Sequence, residues 1–354
     1  MPRPARTAAT TPSTLILTRR DIVALMPPGE YFAAVEGAFR ARGEGRALLP
    51  PPMHVPGEGG TFHAKGASIE LDRSYVAVKL NANFPRNPSE CCLPTIQGVI
   101  ALFDAGDGRL LSLLDSIEIT LRRTAAASVL AARYLARSES KSIAICGCGE
   151  QGRAHLAALQ YVLPLRHARL WDLDPAKASA LARHSEVELG LETRVCRDHR
   201  EATAGADIVV TCTSARTPFL TPADIAPGMF IAAVGADNPD KSEIEPSLTA
   251  RARVVVDALG QCAEMGDLHH AIAAGAMAAK VVHAELGDLV AGRRPGRTRE
   301  NEIFDLTGTG IQDAASAVRA YERARAAGVG TGRSRRRLDL PHARRTSPRS
   351  ELPR

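Results

Sequence analysis

Three glycines in a six-residue frame, Gly147-Cys148-Gly149-Glu150-Gln151-Gly152, are the residues whose spacing points most directly to chemistry. In such a frame Gly147 permits a tight turn, Gly149 admits close backbone approach to a diphosphate, and Gly152 lets a helix pack on a strand. Free N–H groups and the dipole at the helix start then hold the phosphates. The setting makes the frame specific. An apolar run at 143–146 precedes it, an alanine- and leucine-rich helix pattern at 153–159 follows, and a second apolar run at 168–171 ends on Asp172. Strand, glycine loop, helix, strand and acid together form a dinucleotide-binding fingerprint. The Asp172 carboxylate can accept from both ribose hydroxyls and repels a 2′-phosphate, and Leu173 and Asp174 follow it with no arginine. The predicted cofactor is therefore NAD rather than NADP. Asp174, before Pro175, reads as a helix N-cap.

Polar residues at the ends of buried runs are the next candidates. Thr213 follows 209–212, Asp237 follows 234–236 and Asp257 follows 254–256. Ligands of open α/β sheets bind outside such carboxyl ends. Each candidate has a plainer reading. Asp237 before Asn238-Pro239 also suits a turn, Lys79 on a strand pattern also suits a solvent-facing side chain, and Arg123 beside Arg122 also suits a snorkelling surface residue.

The elements that must position these groups fall into two sets. Residues 15–18 read as a strand, 20–26 and 28–42 as helices, and Pro50-Pro51-Pro52 as an extended turn. Strand patterns at 61–64, 75–81, 96–103 and 110–114 follow, the last two joined by the hairpin loop 104–108. This first part reads as an α+β domain on a mostly antiparallel or mixed sheet. Residues 117–136 form a long helix into the fingerprint. Beyond Asp172, a helix at 176–189 and strands at 193–196, 206–212, 229–235 and 252–258 predict a doubly wound parallel sheet, the Rossmann arrangement. The expected domains are 15–120 with 304–327 for substrate binding and dimerisation, and 121–303 for NAD.

Composition narrows the class. The 354 residues are 45% hydrophobic, with no apolar run long enough to span a membrane. Residues 1–14 lack the apolar core of a secretory signal and read as a flexible N-terminus. Seven scattered cysteines, among them Cys91-Cys92 and Cys146-x-Cys148, lack zinc-site spacing and suit a reducing cytoplasm. The net charge of +6 comes entirely from residues 331–354, where eight arginines face Asp339 and Glu351. That tail reads as a disordered, solvated extension rather than a nucleic-acid-binding element.

Four motifs carry a family resemblance: Val78-Lys79 with Asn83-Phe84-Pro85 and Leu93-Pro94-Thr95; Arg123-Thr124-Ala125-Ala126; the glycine loop through Gln151; and Val234-Gly235-Ala236-Asp237 with Pro239 and Lys241. Phe304-Asp305 with Gly308 and Asp313 adds a weaker fifth. From about residue 15 to 327 the chain resembles the ornithine cyclodeaminase/mu-crystallin family, which also includes alanine dehydrogenases and cyclic ketimine reductases. The resemblance implies that Lys79 and Arg123 hold a substrate carboxylate, that Asp237 gives and takes the proton, and that Arg123 also lies against the cofactor. It implies an NAD site lined by Thr95, Glu150, Gln151, Asp172, Thr213, Val234, Gly235, Asp237 and Lys241, and a dimerisation role for the first domain. With the cysteine reading, the expectation for the chain is a cytoplasmic homodimer that binds no metal.

Two departures fall at the substrate end. Where cyclodeaminases usually present a second cation after the proline turn, this chain has Met53, and Lys65 is the candidate replacement. Where they tend to carry serine after Phe-Asp, it has Leu306, followed by Thr307. The expected function is cyclodeaminase-like chemistry at Cα of an L-amino acid, such as ornithine to proline plus ammonia. The alternatives are net hydride transfer, as in an alanine dehydrogenase or ketimine reductase, or NAD-dependent ligand binding without turnover. His54 and His63 are read as structural or weak pocket candidates, and His269-His270 as a helix face.

Overall fold

The computed structural model describes residues 13–298 and 300–334. They build two eight-stranded sheets joined by two long helices. The first sheet contains β1 (Ser13–Leu17), β2 (Ala47–Leu48), β3 (Met53–Gly57), β4 (Gly60–Glu70), β5 (Ser74–Asn83), β6 (Ile96–Asp104), β7 (Leu110–Asp115) and β16 (Thr331–Ser334). Its order is β16-β1-β7-β6-β5-β4-β2, with β3 paired to β4. All pairings are antiparallel except β1 with β7, so the sheet is mixed as expected.

The period-2 pattern of β4 and β5 sorts side chains onto two faces. On β5, Tyr75, Ala77, Lys79 and Asn81 are buried, while Val78 and Leu80 are exposed. Register places Lys65 opposite Lys79 and His63 opposite Asn81 on the inward face.

The second sheet contains β8 (Ser142–Cys146), β9 (His167–Trp171), β10 (Glu192–Val195), β11 (Ile208–Thr211), β12 (Phe230–Ala233), β13 (Arg253–Val256), β14 (Ala284–Glu285) and β15 (Glu302–Asp305). It is parallel throughout, in the order β10-β9-β8-β11-β12-β15-β13-β14. Strands β8, β11, β12 and β15 are buried on both faces, as the apolar runs of the first three require. In β15 the buried Glu302 and Asp305 accept from Arg253 and from Leu268 N. The topological switch lies between β8 and β11, where a ligand crevice forms.

The helix Ser116–Leu135 starts on the Asp115 side chain, which accepts from Ile117 N at 3.0 Å. The helix Pro175–Leu189 starts on Asp174, as the Asp-Pro pair predicted. The helix Gly310–Ala327 packs on the first sheet. A Cβ on Gly310 would collide with the Gly66 carbonyl of β4, so only glycine allows this approach, and it brings Asp313 onto the inward face.

Two expectations are corrected, and one strand is added. Phe304 and Asp305 belong to β15, between β12 and β13 in the second sheet, so the chain returns to the first sheet only after Asp305. Periodicity could not separate the two because strand and return are contiguous. The Pro-rich turn continues into β3, whose pairing with β4 supplies order that local propensity does not. Residues 331–334 pair with the free edge of β1 rather than opening a disordered tail, because that edge offers unpaired backbone groups. The expectations for residues 1–12 and for the arginine-rich tail beyond Ser334 lie outside the described residues.

Candidate active site

The carboxyl ends of β8, β9, β11 and β12 face the inward side of β4 and β5 across a continuous cleft. At one end a cavity of about 670 Å³ is lined by Gly147, Gly149, Asp172, Lys177 and Thr213, among others. At the other, one of about 640 Å³ is lined by Lys65, Lys79, Thr95, Arg123, Asp237 and Thr307, among others. Gln151, Val234, Gly235 and Lys241 stand between them.

The glycine loop is built by close approach. Gly147 has φ +104°, and a Cβ there would stand 2.7 Å from the Cys212 carbonyl. Asp172 ties the loop to β9: its carboxylate accepts from Cys148 N at 2.8 Å and from Asp174 N at 2.9 Å. These features fit a dinucleotide. Gly147 and Gly152 leave no room for a side chain while the space over Gly149 is open, the Asp172 oxygens stand at the cavity wall, and Gln151 Oε1 is buried without a hydrogen-bond partner. Gly152 is buried beneath the turn against the Gly147 carbonyl. Glu150 is exposed in the first helical turn and does not line the cleft, so its predicted place there is corrected. A side chain directed outward from the helix start cannot reach the groove behind it.

At the far end a cationic pair is set on one carboxylate. Lys79 Nζ lies 2.7 Å from Asp313 Oδ2, Arg123 Nε donates to Asp313 Oδ1 at 2.9 Å, and Arg123 Nη1 donates to Gln312 at 2.8 Å. Lys79 and Arg123 are each 4% exposed. Burial pulls the Lys79 ammonium down to about 7 against the opposing pull of Asp313. For Asp313 burial acts upward, but Arg123 and Lys79 outweigh it and hold the carboxyl below its usual value.

Facing this pair, Asp237 accepts from Lys241 Nζ at 2.8 Å. Its side chain is 52% exposed although cleft walls surround it, so water still reaches the carboxylate. Burial pushes its pKa up, but Lys241, Lys65 and His63 outweigh that and leave it lowered. Asp237 is thus an ionised carboxylate at neutral pH. Lys65 Nζ donates to the carbonyls of Thr307 at 2.9 Å and Gly308 at 2.7 Å. The Thr307 hydroxyl turns away, donating to Asp257 at 3.0 Å. Met53 is 57% exposed on the opposite face of its hairpin and does not line the cleft, so its candidacy is corrected by the alternation of β3.

Asp313 and Glu243 were not singled out for this site by sequence, and Asp257, His54 and His63 take more definite places in it. Asp313 stood only in the weak fifth motif, and nothing local shows that it serves both Lys79 and Arg123. Glu243, two residues after Lys241, is fully buried and accepts from Thr213 N at 2.6 Å, Thr213 Oγ1 at 2.7 Å and Gly235 N at 2.8 Å. It clamps the ends of β11 and β12. Burial and the neighbouring Asp267 raise its pKa. Asp257 is buried, accepting from Gly308 N at 2.7 Å, and so shapes the loop that holds Lys65. His54 Nδ1 and His63 Nδ1 lie 2.7 Å apart, and His63 lines the cleft. His270 bonds the Lys241 carbonyl at 2.8 Å.

The ornithine cyclodeaminase/mu-crystallin family model matches residues 13–328. The chain belongs to this family. An archaeal alanine dehydrogenase dimer with bound NAD is 34% identical, with a TM-score of 0.86, over 90% of this chain and 98% of that one. The Delta(1)-pyrroline-2-carboxylate reductase of Thermococcus litoralis, in complex with NADH and L-proline, is 33% identical with a TM-score of 0.85, over 90% and 99%. The iminosuccinate reductase of Paracoccus denitrificans, in complex with NAD+, is 32% identical with a TM-score of 0.85, over 90% and 99%.

Proposed function

We propose that the protein is an NAD-dependent amino-acid dehydrogenase or imine reductase, moving a hydride to or from Cα of an imino or amino acid. The cofactor is NAD, held by the Gly147–Gly152 loop and Asp172, with Thr95, Gln151, Thr213, Val234 and Gly235 along its path. When bound in its reduced form it supplies the hydride.

The observation that carries the reading is the Lys79–Asp313–Arg123 triad set across the cleft from Asp237. Two cations on one carboxylate keep one unmatched positive charge, which a substrate carboxylate completes with charge-assisted hydrogen bonds. That anchors Cα. In the oxidative direction the ionised Asp237 takes the proton that the substrate nitrogen gives up as hydride leaves Cα; in the reductive direction it relays to that nitrogen a proton drawn from the water that reaches it. Lys241 holds the Asp237 carboxylate afterwards. Among the described residues lining the substrate end, no further carboxylate is free to receive the second ammonium of ornithine. This favours net hydride transfer over cyclodeamination.

Absorbance of reduced nicotinamide tests the reading, with pyruvate plus ammonia, pyrroline-2-carboxylate and L-ornithine as substrates. Steady consumption with an imine supports it. Ammonia release from ornithine without net absorbance change makes the protein a cyclodeaminase, and silence throughout makes it a binder. We further propose a homodimer. Val55, Phe62, Val78, Leu80 and Val99 form an exposed apolar face on the first sheet, suited to a second copy. All seven cysteines are free thiols, and a cytoplasmic location is part of the proposal. No described helix is long and apolar enough to cross a membrane.

A further inference from the structure

Lys65 and Lys79 are directly opposed on neighbouring strands of the inward face. Like charges at such a rung repel, so the arrangement requires anions. Lys79 has one in Asp313, 2.7 Å away. Lys65 has none: among the described residues no carboxylate lies within ion-pair distance of its ammonium. Its Nζ spends two N–H groups on the neutral carbonyls of Thr307 and Gly308. The ammonium group keeps a third donor, and Lys65 lines the cleft.

Within ion-pair distance Lys65, Lys79 and Arg123 have Asp313 alone: Asp237 is matched by Lys241, and the buried Asp257 accepts from the Gly308 N–H and the Thr307 hydroxyl instead. Two positive charges are left, and one α-carboxylate matches one of them. The next rung places His63 opposite Asn81, and both line the same cavity. Burial and the nearby Arg123 lower the Lys65 pKa against the opposing pull of Asp237, Asp257 and Asp313.

We propose that Lys65 binds a second anionic group of the substrate, so that the cleft selects dicarboxylic amino and imino acids over monocarboxylic and diamino ones. The proposal rests on the reading of the cleft as an amino- or imino-acid site and adds the chemistry of the side-chain end. In it, Lys79 and Arg123 hold the α-carboxylate and Lys65 holds the distal one.

The test separates binding from turnover. Dissociation constants of L-aspartate and L-alanine are measured on the NAD-loaded full chain by calorimetry, for the unmodified protein, Lys65→Met and Lys65→Arg. Loss of a charged hydrogen bond costs about 10- to 150-fold in affinity. L-Aspartate should therefore bind at least about tenfold tighter than L-alanine, Lys65→Met should remove that margin, and Lys65→Arg should keep most of it. The calorimetric signal also reports whether each variant is folded and loaded. Equal or tighter binding of L-alanine overturns the proposal. So does an equal loss for both ligands in Lys65→Met, which would put Lys65 in the α-carboxylate clamp. A lysine-dependent L-aspartate margin without any NADH turnover keeps the proposal and sinks the hydride-transfer reading instead.

Discussion

Lys79 carries a charge that its surroundings resist and its proposed task requires. Its ammonium is depressed from 10.5 to about 7 by burial, so the folded state binds fewer protons than the unfolded chain between those values. Its contribution to stability is present above 10.5 and is lost as pH falls through about 7. Substrate binding runs the other way, because only charged Lys79 attracts a carboxylate. Affinity for an amino or imino acid should fall as pH rises above about 7, and Lys79→Arg should flatten that limb, as titration of KM from pH 6 to 9 will show. Asp237 is the other exposed point of the chemistry. Asp237→Asn keeps the size but cannot carry the proton, so turnover should drop by roughly two to four orders of magnitude. NAD binding should survive in that variant. Near-normal turnover would reduce Asp237 to a turn residue and route the proton through water or Lys79.

At the scale of elements, the cleft exists because strand ends are tied together from beneath. Glu243 accepts from Thr213 and Gly235 at the ends of β11 and β12, and Asp267 in turn accepts from Glu243 N at 2.8 Å and Ile244 N at 2.9 Å. Glu243→Gln puts an amide donor against backbone N–H groups. A buried donor left without an acceptor costs about 1–3 kcal/mol. The variant should melt earlier and bind NAD more weakly, both measurable by thermal denaturation with and without cofactor. An unchanged NAD affinity would mean that the two loops hold their shape without this clamp.

At the scale of the molecule, the two sheets meet through the helices Ser116–Leu135 and Gly310–Ala327, and the chain closes on itself when β16 covers the edge of β1. A chain ending at Gly330 should therefore melt below one ending at Ser334. Identical melting curves would show that the pairing adds nothing. The apolar outer face of β4, β5 and β6 makes a second prediction. Leu80→Glu introduces a charge at the centre of that face and should shift the protein from dimer to monomer in sedimentation. A monomeric unmodified protein would refute the assembly.

Much of this protein is determined by local sequence. Gly147, Gly149 and Gly152 stand between two apolar runs, so the turn, the helix start and the parallel sheet follow from steric permission and periodicity. Asp174-Pro175 writes its own helix cap, and the loop 104–108 its own hairpin. What tertiary structure alone decided is which charges meet. Lys79 and Asp313 are 234 positions apart in the chain, and no periodicity announces that one carboxylate will hold both Lys79 and Arg123. Lys65 faces the cleft and Met53 faces away because the pairing of β3, β4 and β5 sets their register, and a shift by one residue would exchange those faces. Glu243 looked like any acid beside a turn until the ends of β11 and β12 closed over it. Local rules act through the few neighbours a residue has in the chain. A binding site is made of neighbours that only long-range packing supplies.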